Sequence, residues 1–283
     1  MDFAEIRQVT VTAIFSDDWL LDHLVLKGGN ALNLVYDLGG RTSLDLDFSM
    51  RADFPDLEDA RRRIFHALRE RFDAAGYVVF DEQFDPKPRL RGEDAKPWWG
   101  GYEVRFKLIE REKYERLKAR VEKLRLNAMV TGAGQERTFS IDVSKFEYTE
   151  GKAKRELDYF TIYVYTPEMI AIEKLRAICQ QMPEYEHRGR STARARDFYD
   201  IHRVVTKLDV DLAKRDNIEL AKHIFAAKRV PLEFLSKIAA QRQFHRRDWP
   251  AVQASALDAV DGFDFYFDFV LSQVDRLKVL WVE

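Results

Sequence analysis

The chain has little cysteine, no long apolar run and almost no net charge. Of its 283 residues a single one is cysteine, Cys179. That excludes an internal disulfide and a multi-cysteine zinc site and fits a reducing compartment. No uncharged apolar stretch approaches the ~18 residues that would span a membrane. The opening MDFAEIRQVT lacks the basic-then-apolar pattern of a secretory signal. The expectation is a cytoplasmic protein without a membrane anchor. Lys plus Arg number 46 and Asp plus Glu 48, a net charge of −2. The protein is no global polycation, and nucleic acid would have to meet local basic patches.

What is present is enough for a packed core under a soluble surface: 46% hydrophobic, 13% aromatic and 33% charged residues. Apolar spacing suggests helices over residues 2–15 and 18–26, then a helix after Gly28-Gly29 ended by Gly39-Gly40. Leu44-Asp45-Leu46-Asp47-Phe48 alternates strictly, as a strand does. An amphipathic helix follows over 57–75, then a strand at 77–80. Residues 81–101, with Pro86, Pro88 and Pro97, read as irregular. Strands are expected at 102–109, 139–143 and 160–165, with a helical stretch at 111–126 between the first two. Thr166-Pro167 reads as an N-cap and first helical residue. Beyond it nearly everything reads as helix: 168–182, 192–207, 217–228, 231–241 and 250–281. The chain divides into an α/β part, 1–165 with its N-terminal helices, and a helical part, 166–283.

Ser43, Asp45 and Asp47 share one strand face, because alternate residues point the same way. Two carboxylates roughly 7 Å apart along a strand repel each other, and a cation relieves that. Mg²⁺ suits such sparse oxygen sites and also takes substrate phosphates; an acidic solvent face would look the same. Gly28 and Gly29 precede a helix, where bare backbone can approach an anion, although a Gly-Gly pair is also an ordinary turn. Asp142, flanked by Ile141 and Val143, could complete the site, act as a general base, or be a plain strand acid. Lys174 lies at the edge of the apolar stripe of helix 168–182, with Glu173 nearly opposite. There it could grip a triphosphate as a point charge or merely snorkel. On the next helix Phe198, Ile201, Val205 and Leu208 form an apolar stripe, with Asp197 and Asp200 on one side. Nine Lys or Arg face four Glu in residues 105–125, five Arg lie in 188–203, and Arg242, His245, Arg246 and Arg247 cluster.

Four strings occur in order: Leu26-Lys27-Gly28-Gly29-Asn30-Ala31-Leu32, Arg41-Thr42-Ser43-Leu44-Asp45-Leu46-Asp47-Phe48, Glu173-Lys174-Leu175-Arg176-Ala177 and Arg196-Asp197-Phe198-Tyr199-Asp200-Ile201. Together they resemble the AbiEii/AbiGii toxin family, nucleotidyltransferase-like toxins of bacterial toxin–antitoxin and abortive-infection systems related to the MenT toxins. The resemblance covers about residues 25–205. It implies an α+β, DNA polymerase β-like nucleotidyltransferase sheet with flanking helices plus a C-terminal helical domain. The gap of 15 residues between Gly29 and Asp45 exceeds the superfamily norm, and Lys27 takes a usually apolar place.

The resemblance further implies that Asp45 and Asp47 hold Mg²⁺, with Mn²⁺ as a substitute, and that Asp142 matches a third carboxylate. Lys174 and Asp197 would complete the catalytic set; Gly28, Gly29, Ser43 and Lys174 would bind the nucleotide. The expected reaction moves a nucleoside monophosphate from an NTP to an RNA hydroxyl, with tRNA 3′ ends the leading acceptor, and so blocks translation. A cognate antitoxin is the expected protein partner. Arg188, Arg190, Arg194 and Arg196 are the expected RNA contacts, because an arginine-rich segment suits a polyanion. The rival readings are a transferase acting on a protein or small molecule, and a non-catalytic nucleotide- or RNA-binding module.

Overall fold

The computed structural model describes residues 1–39, 46–88, 98–131, 136–186 and 191–282. The chain forms two compact units. The first comprises Met1–Asn30, Ser43–Thr149 and Ala153–Val164; the second comprises Ala31–Thr42, Glu150–Lys152 and Tyr165–Glu283.

In chain order the first part runs α1 (Phe3–Phe15), α2 (Asp18–His23), β1 (Val25–Lys27), α3 (Gly28–Leu34), β2 (Leu46–Ser49), α4 (Leu57–Ala74), β3 (Tyr77–Lys87), β4 (Gly101–Glu110), α5 (Arg111–Leu117), α6 (Val121–Asn127), β5 (Phe139–Ser144), β6 (Ala153–Leu157) and β7 (Phe160–Val164). The boundary between the units falls inside α3. Among the described residues seven strands form one mixed sheet in the order β3-β4-β5-β2-β1-β7-β6. β2 runs parallel to β5 and β1 parallel to β7; the other neighbours are antiparallel. The Asp2 side chain caps α1 in a box with Glu5, and Asp56 accepts from the Glu58 and Asp59 N–H groups at the start of α4. The α4 stripe Ile64, Phe65, Leu68 and Phe72 is buried. Phe72 meets Phe106, and Phe106 stacks on Phe139, at centroid distances of 5.9 and 5.5 Å.

Several sequence expectations need correction. Residues 25–27 form a strand, not the end of a helix; all three are buried, and so short a run has no period to tell the two apart. The segment read as irregular is strand as far as Lys87. Its charges pair across or beside the strand, Asp85 with Arg105 and Glu82 with Arg69. Pro86 is tolerated because β3 is an edge strand, where a missing N–H breaks no ladder. Residues 89–97 lie outside the described residues. The 111–126 helix is two short helices, and the charged strand β6 on the other edge was not anticipated.

The second unit contains α7 (Pro167–Cys179), α8 (Ala195–Lys207), α9 (Arg215–Ala227), a 3₁₀ segment (Leu232–Gln241), α10 (Arg242–Arg246), α11 (Trp249–Ser255) and α12 (Phe263–Arg276). Thr166 caps α7 as expected: its hydroxyl accepts from the Met169 N–H at 3.3 Å. The helix expected over 250–281 is broken between Ser255 and Phe263, and Gly262 takes the N-cap position of α12. The α8 stripe is Phe198, Ile201 and Val204 rather than a line through Val205 and Leu208. Phe198 stacks on Phe267 of α12 at 4.9 Å, and Tyr199 meets Tyr266 edge-on at 5.3 Å. Among the described residues no helix is long and apolar enough to cross a membrane.

Candidate active site

Asp47 lies on β2 between the buried Leu46 and Phe48, so alternation turns its carboxylate to the polar face of the sheet. The parallel β2–β5 register sets it beside Asp142; β5–β4 continues the row to Glu103, and β4–β3 to Asp85. Residues in register on neighbouring strands share a face, so these four carboxylates stand in one line across four strands. Cations from the same face interleave with them. The Lys87 ammonium donates to both Asp142 oxygens at 2.8 Å and lies 3.8 Å from Glu103. Arg105 reaches Asp85 at 2.7 Å and Glu103 at 3.3 Å. The Lys87 side chain is 53% exposed, so its pairing with Asp142 is exchangeable.

Gly28 opens α3 with φ +72°, and a Cβ there would lie 2.7 Å from Asp47 Oδ2. Only glycine fits both the backbone angle and that close approach. The adjoining Lys27 is buried and opposite Asp47 in the β1–β2 ladder. Its ammonium lies 3.7 Å from Glu147 Oε1. Ser43 and Asp45 lie outside the described residues.

The donor set suits a hard divalent cation. Asp47 and Asp142 offer carboxylate oxygens from one face, and Gly28 leaves the space beside Asp47 that a Cβ would fill. Among the described residues no three His, Cys, Asp or Glu side chains group as a cage. Mg²⁺ needs none, since it takes one or two carboxylates and completes its shell with water and phosphate.

In the second unit Lys174 is buried. Its ammonium is 2.9 Å from Asp197 Oδ1 and 2.7 Å from Asp200 Oδ2. The side chains of Lys174, Asp197 and Asp200 are 6%, 1% and 5% exposed. Arg194 Nε donates to the other Asp197 oxygen. Burial alone would raise the Asp197 pKa, but Arg194, Lys174 and Arg196 outweigh it and hold this carboxyl well below the usual range. The Arg194 backbone N–H donates to His245 Nδ1 at 3.1 Å, so the neutral ring carries its proton on Nε2. Burial pushes the His245 pKa down to about 4; Asp197 opposes the shift and Arg194 adds to it. Glu173, on another side of α7, holds the buried Arg176 guanidinium at 2.7 Å.

The expected RNA-contacting arginines have different placements. Arg196 is exposed. Arg194 is drawn inward to Asp197, which leaves it poorly placed as a phosphate contact. Arg188 and Arg190 lie outside the described residues. The later cluster is engaged too: Arg242 and Arg246 pair with Asp264, and Arg242 also with Asp268. Lys87 and Glu103 escaped the sequence reading. Glu103 was visible in the alternation of Tyr102 to Lys107, whereas Lys87 lay in the segment read as irregular.

The chain is similar in structure to a candidate nucleotidyltransferase from H. pylori, at 17% identity and a TM-score of 0.47, over 98% of this chain and 94% of that one. No curated protein matches it. Residues 11–269 match the model of a family described as nucleotidyl transferase AbiEii toxins of type IV toxin–antitoxin systems. That match takes in most of the chain, which therefore belongs to the AbiEii nucleotidyltransferase toxin family.

Proposed function

We propose that the protein transfers a nucleoside monophosphate from an NTP to an RNA hydroxyl, the 3′ end of tRNA, and thereby blocks translation. The observation that carries this reading is Asp47 pressed against Gly28 with Asp142 in register beside it. Asp45 and Asp47, with Asp142, are the residues to hold Mg²⁺. When bound, Mg²⁺ lowers the pKa of an attacking hydroxyl and neutralises charge on phosphate oxygens. The glycine pair and Ser43 form the nucleotide side of the site. Asp197 and Asp200 hold the Lys174 ammonium in place, and that lysine is assigned to the substrate phosphates as a point charge. Arg196, with Arg188 and Arg190, is assigned to acceptor phosphates, which position an RNA without reading its sequence. Membership of a toxin–antitoxin family implies a cognate antitoxin; its supply should relieve the translation block.

The test is incubation with each labelled NTP, Mg²⁺ and total tRNA. Label at tRNA 3′ ends is the expected result. Label in the protein itself or in a small molecule moves the acceptor elsewhere, and no label anywhere overturns the transferase reading.

A further inference from the structure

The chemistry above makes no use of Lys27. It follows the apolar run Leu24-Val25-Leu26 directly and precedes Gly28. Opposite Asp47 in the β1–β2 register, it leaves the sheet on the same face as that carboxylate. Its side chain is only 9% exposed, yet its ammonium gives no hydrogen bond to any described residue. The 3.7 Å to Glu147 Oε1 makes an ion pair, too long for an N–H···O bond. Lys174 shows the alternative in the same protein, with carboxylate oxygens at 2.7 and 2.9 Å. A desolvated ammonium normally spends its donors; this one, on a residue paired with Asp47 in the ladder, gives none. The other cations of that face, Lys87 and Arg105, sit among the carboxylates of β3, β4 and β5, whereas Lys27 stands on β1, next to Gly28.

We propose that Lys27 binds a phosphate oxygen of the polyphosphate of the NTP substrate. This rests on the nucleotidyl-transfer reading and names a lysine of the sheet for its substrate. Glu147 pairs with the Lys27 ammonium at a distance that leaves its donors unused.

The experiment measures equilibrium binding of each NTP with Mg²⁺, and of the matching nucleosides, to wild type, Lys27→Met and Lys27→Met/Glu147→Gln. Thermal unfolding is followed in parallel. Lys27→Met takes a cation from the buried Glu147 and is expected to unfold earlier; the double variant removes both charges and recovers part of that loss. Both variants should bind NTP at least about tenfold more weakly, the loss of a single charge-assisted contact, with nucleoside affinity unchanged. NTP binding by the double variant equal to wild type would make Lys27 only the partner of Glu147 and overturn the proposal. Equal loss of NTP and nucleoside affinity would overturn it too, because the residue would then shape the pocket rather than meet phosphate. If wild type binds no NTP at all, the nucleotidyl-transfer reading itself has failed.

Discussion

The sheet face of the first unit and the helical core of the second both gather carboxylates and cations, with opposite physical consequences. On the sheet, Asp142 is met by Lys87, whose side chain is half exposed. Water screens that pair, and its partners can change at little cost. In the second unit Lys174, Asp197 and Asp200 are almost wholly buried. There each charge depends on the others, since a buried ion without its partner is expensive. The first arrangement can exchange a protein cation for a ligand. The second fixes a lysine and the start of α8 in one geometry. Acidic residues therefore act in two ways here: exposed ones can trade partners, and buried ones hold a lysine in place.

The widest gap between the two regions should open on truncating one charge in each. Asp197→Ala takes one of two carboxylates from the buried Lys174 and an acceptor from Arg194 Nε, and should cost about 3 kcal/mol of stability, read by urea unfolding. A cost under about 1 kcal/mol would mean that the cluster is as exchangeable as the sheet pair.

Next comes pH. The folded His245 pKa of about 4 lies below its ordinary 6.5, so the folded state favours the neutral ring. Its contribution is complete above about pH 6.5 and is lost as pH falls toward 4. Nδ1 accepts the Arg194 N–H and cannot carry a proton without breaking that bond. Between pH 7.5 and 5 the loss should be about 2 kcal/mol, at 1.36 kcal/mol per pK unit. His245→Gln should remove this part of the pH dependence. The His202 pKa, lowered chiefly by burial, shifts in the same direction, so the difference between variant and wild type is the quantity to read.

On the sheet the sensitivity should be catalytic instead. Asp47→Asn keeps the volume beside Gly28 and should change stability by less than about 1 kcal/mol. Transfer to tRNA should fall at least about a hundredfold, roughly 2.7 kcal/mol of barrier. A variant with intact transfer would remove Asp47 from the chemistry. The smallest effect belongs to Lys87→Gln, which should alter unfolding by no more than about 1 kcal/mol because the pair is exposed. A loss of several kcal/mol would mean that the sheet pair supports the fold as strongly as the buried cluster does.

Much of this was legible from neighbouring residues. The alternation Leu44 to Phe48 showed which way Asp47 faces, and Thr166-Pro167 showed where α7 begins. The α4 stripe was visible as period, and four short strings in order pointed to the family. Where local pattern was weak, the reading slipped. β1 is too short for a period to show, and β3 keeps its strand through charged residues because their partners stand on other elements. The break between α11 and α12 falls where spacing alone suggested one continuous helix.

The sequence by itself determined the types and order of the chemical groups, the helix caps and the alternation of faces, because these depend on residues a few positions apart. Tertiary structure alone decided that Asp142 stands beside Asp47, since strand register is a long-range choice made by burying two apolar faces at once. It also decided that Lys174 is enclosed by Asp197 and Asp200, and that Arg194 turns inward. Burial makes an unpaired charge costly, and which partners satisfy it depends on how the helices pack, a matter that no local pattern encodes.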